Sequence, residues 1–163
     1  MKRLALALIV LMTALALPAA ASAQPPSRGE LSIPVVGTAP GGTFNGVFEL
    51  QRFVATNEGV NAVGTLTGTL TNTATGVTTS VVRLISVPAV VTQATCDILH
   101  LDLGPLSLNL LGLQVDLSRI VLDITAQSGA GNLLGNLLCA VANLLNNPSG
   151  LARILNQILA ILG

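Results

Sequence analysis

The sequence predicts an α+β domain: an antiparallel sheet, or a partly closed β-barrel or sandwich, of about six to eight strands, followed by two C-terminal amphipathic helices. Three observations lead there. Apolar residues recur at every second position through much of residues 43–126; after Gln127 they recur three and four apart; and clusters of Gly, Asn and Thr separate the runs as hairpin loops do.

The opening MKRLALALIVLMTALALPAAASAQ starts with Lys2 and Arg3, runs uncharged from Leu4 to Leu17, and closes on Pro18 and the small residues Ala21 and Ala23. Charge, apolar core and A-x-A site in that order predict a signal peptide over residues 1–23, cleaved near Ala23, with the product periplasmic, on the envelope or secreted. The apolar run is shorter than the roughly 20 residues a bilayer-spanning helix needs, so no transmembrane span is expected in the mature chain. Residues 24–42 (QPPSRGELSIPVVGTAPGG) hold four prolines. They read as a flexible lead-in, with a short strand at 32–36 that Pro34 would confine to an edge. Residues 43–163 are then a single β-rich domain.

Three runs, TFNGVFELQRFV, VNAVGTLTGTLT and VTTSVVRLISVPAVV, are rich in the Val, Thr and Phe that suit strands. NEG at 57–59 and NTATG at 72–76 supply turn residues that tolerate positive φ. In the middle run Leu66 and Leu70 share a face with Gly64 and Gly68, while Thr65, Thr67, Thr69 and Thr71 take the other, the alternation of a half-buried antiparallel strand. Residues 98–126 keep period two through Leu99, Leu101, Leu103, then Leu106, Leu108, Leu110, then Leu113, Val115, Leu117, then Ile120, Leu122, Ile124. A helix would space its leucines three and four apart, so the stretch reads as three or four strands, with turns or bends at Gly104-Pro105, Leu111-Gly112 and Ser118-Arg119. Beyond QSGAG the period becomes helical. Asn132 is placed to cap a helix over 132–145, ended by Asn146, Asn147 and Pro148, and Ser149 to cap a second over 150–162 whose polar side carries Arg153, Asn156 and Gln157.

Charged residues are 9% of the chain and apolar residues 51%, where an ordinary domain has about a quarter charged. The surface is therefore covered by Thr, Asn, Ser, Gly and exposed aliphatics, which invites association. After residue 23 the strong bases are Arg28, Arg52, Arg83, Arg119 and Arg153, against seven acidic residues; no basic field exists to hold nucleic acid. Cys96 and Cys139 are the two cysteines, and in an exported chain they are expected to be bridged. Such a bridge closes a loop of about 44 residues and contributes about 3 to 4 kcal/mol in the chain-entropy picture.

The tract CDILHLDLGPLSLNLLGLQVDLSRIVLDITAQSGAGNLLGNLLCAVANLL, residues 96–145, resembles a pattern found in small, uncharacterised secreted bacterial proteins: a cysteine, LGPL, LNLLGL, VLDITA, a Gly-rich turn and GNLLGNLLCAV. The resemblance covers about a third of the chain. It implies that Cys96, Cys139 and the turn glycines belong to a structural core, and it carries over no catalytic role.

No constellation reads as an enzyme's. His100 and Asp102 share a strand face, and Ser107 is the serine nearest for a triad, but there is no nucleophile elbow. Asp97, Asp102, Asp116 and Asp123 lack the D-x-D-x-D-G loop of a calcium site, and one histidine with two cysteines is too few ligands for zinc. Their expected role is to keep an apolar sheet soluble, with Asp123 partly buried beside Arg119 or a backbone donor. The glycines of GAGNLLGN are spaced G-x-G-x-x-x-G, which fits a strand-to-helix turn rather than a phosphate loop. The last helix has only Arg153 as a base, and core packing suits it better than a membrane surface. No metal or cofactor is expected. The leading expectation is a non-enzymatic protein that takes an apolar ligand or surface, a lipid or polymer, between sheet and helices. The candidate wall is Leu101, Leu103, Leu108, Leu110, Val115, Leu137, Leu138 and Val141. A structural, self-associating envelope protein is the competing class, because Thr-rich, weakly charged strands leave their edges poorly defended.

Overall fold

A computed structural model describes residues 30–163; the expected signal peptide lies outside the described residues. Four long strands form an antiparallel meander: β1 (Leu31–Ala39), β2 (Gly42–Thr56), β3 (Gly59–Asn72) and β4 (Thr78–Ala94). Their inward positions are the alternating apolar ones, among them Phe44, Phe48, Leu50, Leu66, Ile85 and Val87, while Thr65, Thr67, Thr69 and Thr71 stay on the outer side. In the loop after β3, Asn72 Oδ1 accepts from the Ala74 and Thr75 amides, an Asx turn that sets up the reversal.

The stretch expected to be a flexible lead-in includes all of β1. Pro34 is accommodated there because β1 pairs with β2 along its whole length, while its other side is hydrogen-bonded in the ladder only at Gly37 and Thr38, past the proline. Pro34 thus occupies a locally open edge of an otherwise internal strand.

The sheet curls at glycines inside it. Gly46 lies opposite Gly68 and Gly64 opposite Leu50. A Cβ on Gly68 would sit 2.4 Å from the Asn45 carbonyl and 2.6 Å from the Phe44 ring, and one on Gly64 would sit 2.1 Å from the Glu49 carbonyl and 2.8 Å from the Phe48 ring. Their missing side chains let β2 and β3 coil tightly while the two rings fill the concave side.

Residues 98–125 form β5 (Ile98–Leu103), β6 (Leu106–Leu110), β7 (Leu113–Leu117) and β8 (Ile120–Thr125), with the three expected turns between them. β5 pairs with β8 and β6 with β7 in one uninterrupted register, so the four are the two halves of a single long hairpin. Its tip is the two-residue turn Leu111-Gly112, with φ of +58° and +83°. The lower half joins the meander through β5 on β4, the upper half through β7 on β1, giving the order β6-β7-β1-β2-β3-β4-β5-β8. Because both ends of this order belong to one hairpin, the eight-stranded antiparallel sheet wraps into a partly closed barrel.

Two helices follow, α1 (Leu133–Asn143) and α2 (Pro148–Leu162). α2 turns Leu151, Ile154, Leu155, Ile158 and Leu159 into the core and packs on β2 and β3, the core role expected of it. Its N-cap is Asn147, which accepts from the Gly150 amide, with Pro148 next; Ser149 lies inside the first turn, so the expected Ser149 cap is corrected. Asn132 precedes α1 without a side-chain cap bond; Asn136 instead holds both the amide and the carbonyl of Gly129 and fixes the turn into the helix. Cys96, in the turn between β4 and β5, and Cys139, on α1, are bonded, with sulfurs 2.04 Å apart, and tie helix to sheet. Among the described residues no helix is long and apolar enough to cross a membrane.

Candidate functional site

The eight residues expected to wall an apolar site belong to the core or its margin. Leu101, Leu103, Leu110, Val115, Leu138 and Val141 are buried, and Leu108 and Leu137 partly so. They do not surround a common cavity. Leu101 borders a void between sheet and α2 that Phe53, Leu155 and Ile158 also line, and Leu103 borders a second with Phe48, Leu66 and Leu117. Each measures about 10 Å³, room for about one water molecule.

The polar side chains that might have formed a triad separate into pairs across neighbouring strands. His100 Nδ1 meets Asp123 Oδ1 between β5 and β8, and Ser107 Oγ donates to Asp116 Oδ1 between β6 and β7. Asp102 pairs with Arg119 at 3.4 Å. The expected partnership of Asp123 with Arg119 is therefore corrected: Asp123 is exposed and bound to His100, because the strand register puts those two directly opposite each other. Among the described residues no three of His, Cys, Asp and Glu converge as metal ligands would. The Gly-rich turn spends the amides of Gly129 and Asn132 on Asn136 and on its own backbone. Cross-strand pairs of this kind strengthen edges and fix register.

The feature with binding geometry is backbone rather than side chain. β5 pairs with β4 only over residues 89–94, and the Pro88 carbonyl accepts the Gly104 amide at 3.0 Å, where the hairpin departs. Among the described residues, residues 78–87 of β4 consequently have β3 on one side and no ladder on the other. Across the resulting cleft, about 410 Å³ between residues 80–83 and 109–111, runs the equally unpaired side of β6. The tie across it is Arg83, whose guanidinium donates to the Asn109 carbonyl. Exposed aliphatics stand at the cleft and beside it: Leu111 is 70% exposed, Val82 69% and Leu84 67%. Leu111 also holds positive φ, which leucine rarely adopts.

A second open stretch lies between the start of β1 and β8, and α2 lies against it. Leu31, Leu122 and Ile124 line a small void there together with Leu155, Leu159 and Leu162 of α2. Beyond Leu50, where β2 has outrun β1, Asn156 serves as a substitute strand: its amide accepts from Phe53 N at 2.6 Å and donates to Phe53 O at 2.8 Å.

The sequence did not point to the β4 edge, because the extent of pairing between β4 and β5 depends on where the hairpin turns away. The one signal for it is Gly104-Pro105, read above as a turn and found where the chain leaves β4. Compared with protein-family models, curated proteins and solved structures, the chain matches none.

Proposed function

We propose that this is an exported, non-enzymatic protein that works by self-association through an open edge of its sheet. The observation that carries this reading is the undefended edge of β4 with the exposed aliphatics Val82, Leu84 and Leu111 at the cleft and beside it. Export is supported by the N-terminal pattern and by the bonded cysteine pair, which suits an oxidising compartment. The non-enzymatic reading is supported by the dispersal of His100, Ser107, Asp102, Asp116 and Asp123 into separate surface pairs.

The second reading, uptake of a lipid or other apolar ligand between sheet and helices, is favoured by the leucine character of that space. It requires α2 to move, because ligand pockets measure about 300 to 1,000 Å³ and the void between sheet and α2 holds about 10 Å³. Native mass spectrometry of protein taken from the exported fraction without detergent separates the two. Bare oligomers are expected. A monomer carrying mass that leaves on denaturation would move the conclusion to the ligand, and a bare monomer would remove both readings.

A further inference from the structure

We infer that residues 78–87 of β4 are a dimerisation edge, and that the occupant is the same edge of a second copy, antiparallel about a two-fold axis near Val82. This rests on the self-association reading above and names its contact.

The unpaired edges of this sheet differ in their protection. The free side of β1 contains Pro34, and β8 carries Asp123 and lies against α2. β6 is five residues long. Each is a familiar obstacle to edge pairing. Residues 78–87, TTSVVRLISV, have no proline, glycine, lysine or acid, and their register with β3 continues without a bulge. Ten residues of unbulged strand, six of them β-branched, leave alternate N–H and C=O groups pointing into the cleft, and a strand is what completes them.

A second copy suits the side chains as well as the backbone. An axis near Val82 sets Val82 beside Val82, Ser80 beside Leu84 and Val81 beside Arg83, so outer residues adjoin outer residues and the two arginines avoid each other. Val82 and Leu84, the most exposed apolar residues on the strands, then form one ridge across both molecules. Isologous contacts of this form close at the dimer. Arg83 must release the Asn109 carbonyl for the partner strand to reach its ladder, which makes that contact a latch on the cleft.

The test is sedimentation velocity on the exported chain over a wide concentration range. A monomer–dimer equilibrium is expected, and Val82→Lys, which sets like charges face to face, should weaken it at least about tenfold, with partial recovery in high salt and an unchanged circular dichroism spectrum. Leu84→Lys gives a second variant with the same expected loss, and Asp123→Lys, on the β8 edge, should leave the dimer unaltered. A dimer indifferent to both β4 lysines would overturn the edge assignment while leaving self-association standing. A monomer at every concentration would overturn both. A series of species running past the dimer would overturn the two-fold closure.

Discussion

Among the described residues two stretches of strand edge go unpaired in this curled sheet, one covered and one bare. Between β1 and β8 the gap is filled by α2 with Leu155, Leu159 and Leu162, and nearby Asn156 bonds the Phe53 backbone as a neighbouring strand would. Between β4 and β6 a single arginine crosses a cleft. The difference follows from chain order. The helices come after the hairpin, and the cysteine bond and the α2 packing hold them at the end of the sheet where β2 turns into β3; the far end of β4 is out of their reach. A covered edge is part of the core, whereas a bare edge is a surface waiting for a strand.

The comparison breaks first at the cover. Leu155 is 2% exposed, and Leu155→Asp would strand a charge among apolar side chains. A loss of more than about 4 kcal/mol is expected, seen as a chain unfolded in the absence of denaturant. Replacing Cys96 and Cys139 by alanine frees α1 from the β4–β5 turn and should cost about 3 kcal/mol, read from the urea midpoint. Asn156→Ala leaves the Phe53 amide and carbonyl without their partner, for a loss of about 2 kcal/mol by the same measurement. The smallest effect is a gain at the bare end. Leu111 occupies a left-handed conformation at the hairpin tip, and Leu111→Asn, which restores the Asn-Gly pair such turns prefer, should stabilise by about 0.5 to 1 kcal/mol.

Much of this architecture was legible because one face of each strand is buried. Alternation identifies β2 to β4 and the short strands of 98–125, down to Leu66 and Leu70 opposite the threonines and to Leu99, Leu101 and Leu103 inside. The change of period after Gln127 located both helices, although α1 ends at Asn143 rather than 145 and α2 begins at Pro148 rather than 150. Of β1 the sequence offers only a short edge strand at 32–36 inside a flexible lead-in, because Pro34, Gly37 and the prolines and glycines around the strand mask the pattern, and pairing with β2 makes Ile33 and Val35 core residues. The wall residues lie in the core or at its margin, on the sheet and on α1, and periodicity alone does not tell packed walls from hollow ones. Surface pairing of His100 with Asp123 depended on a register set by residues far along the chain, and so did the open edge of β4.

Amide hydrogen exchange at low and high protein concentration tests the contrast between the two edges most directly. The Phe53 amide, already bonded to Asn156, should be protected to the same degree at both concentrations. The cleft-facing amides of residues 78–87 should exchange quickly in dilute protein and slow as the dimer forms. Fast exchange there at every concentration, or protection already complete in the monomer, would contradict the account.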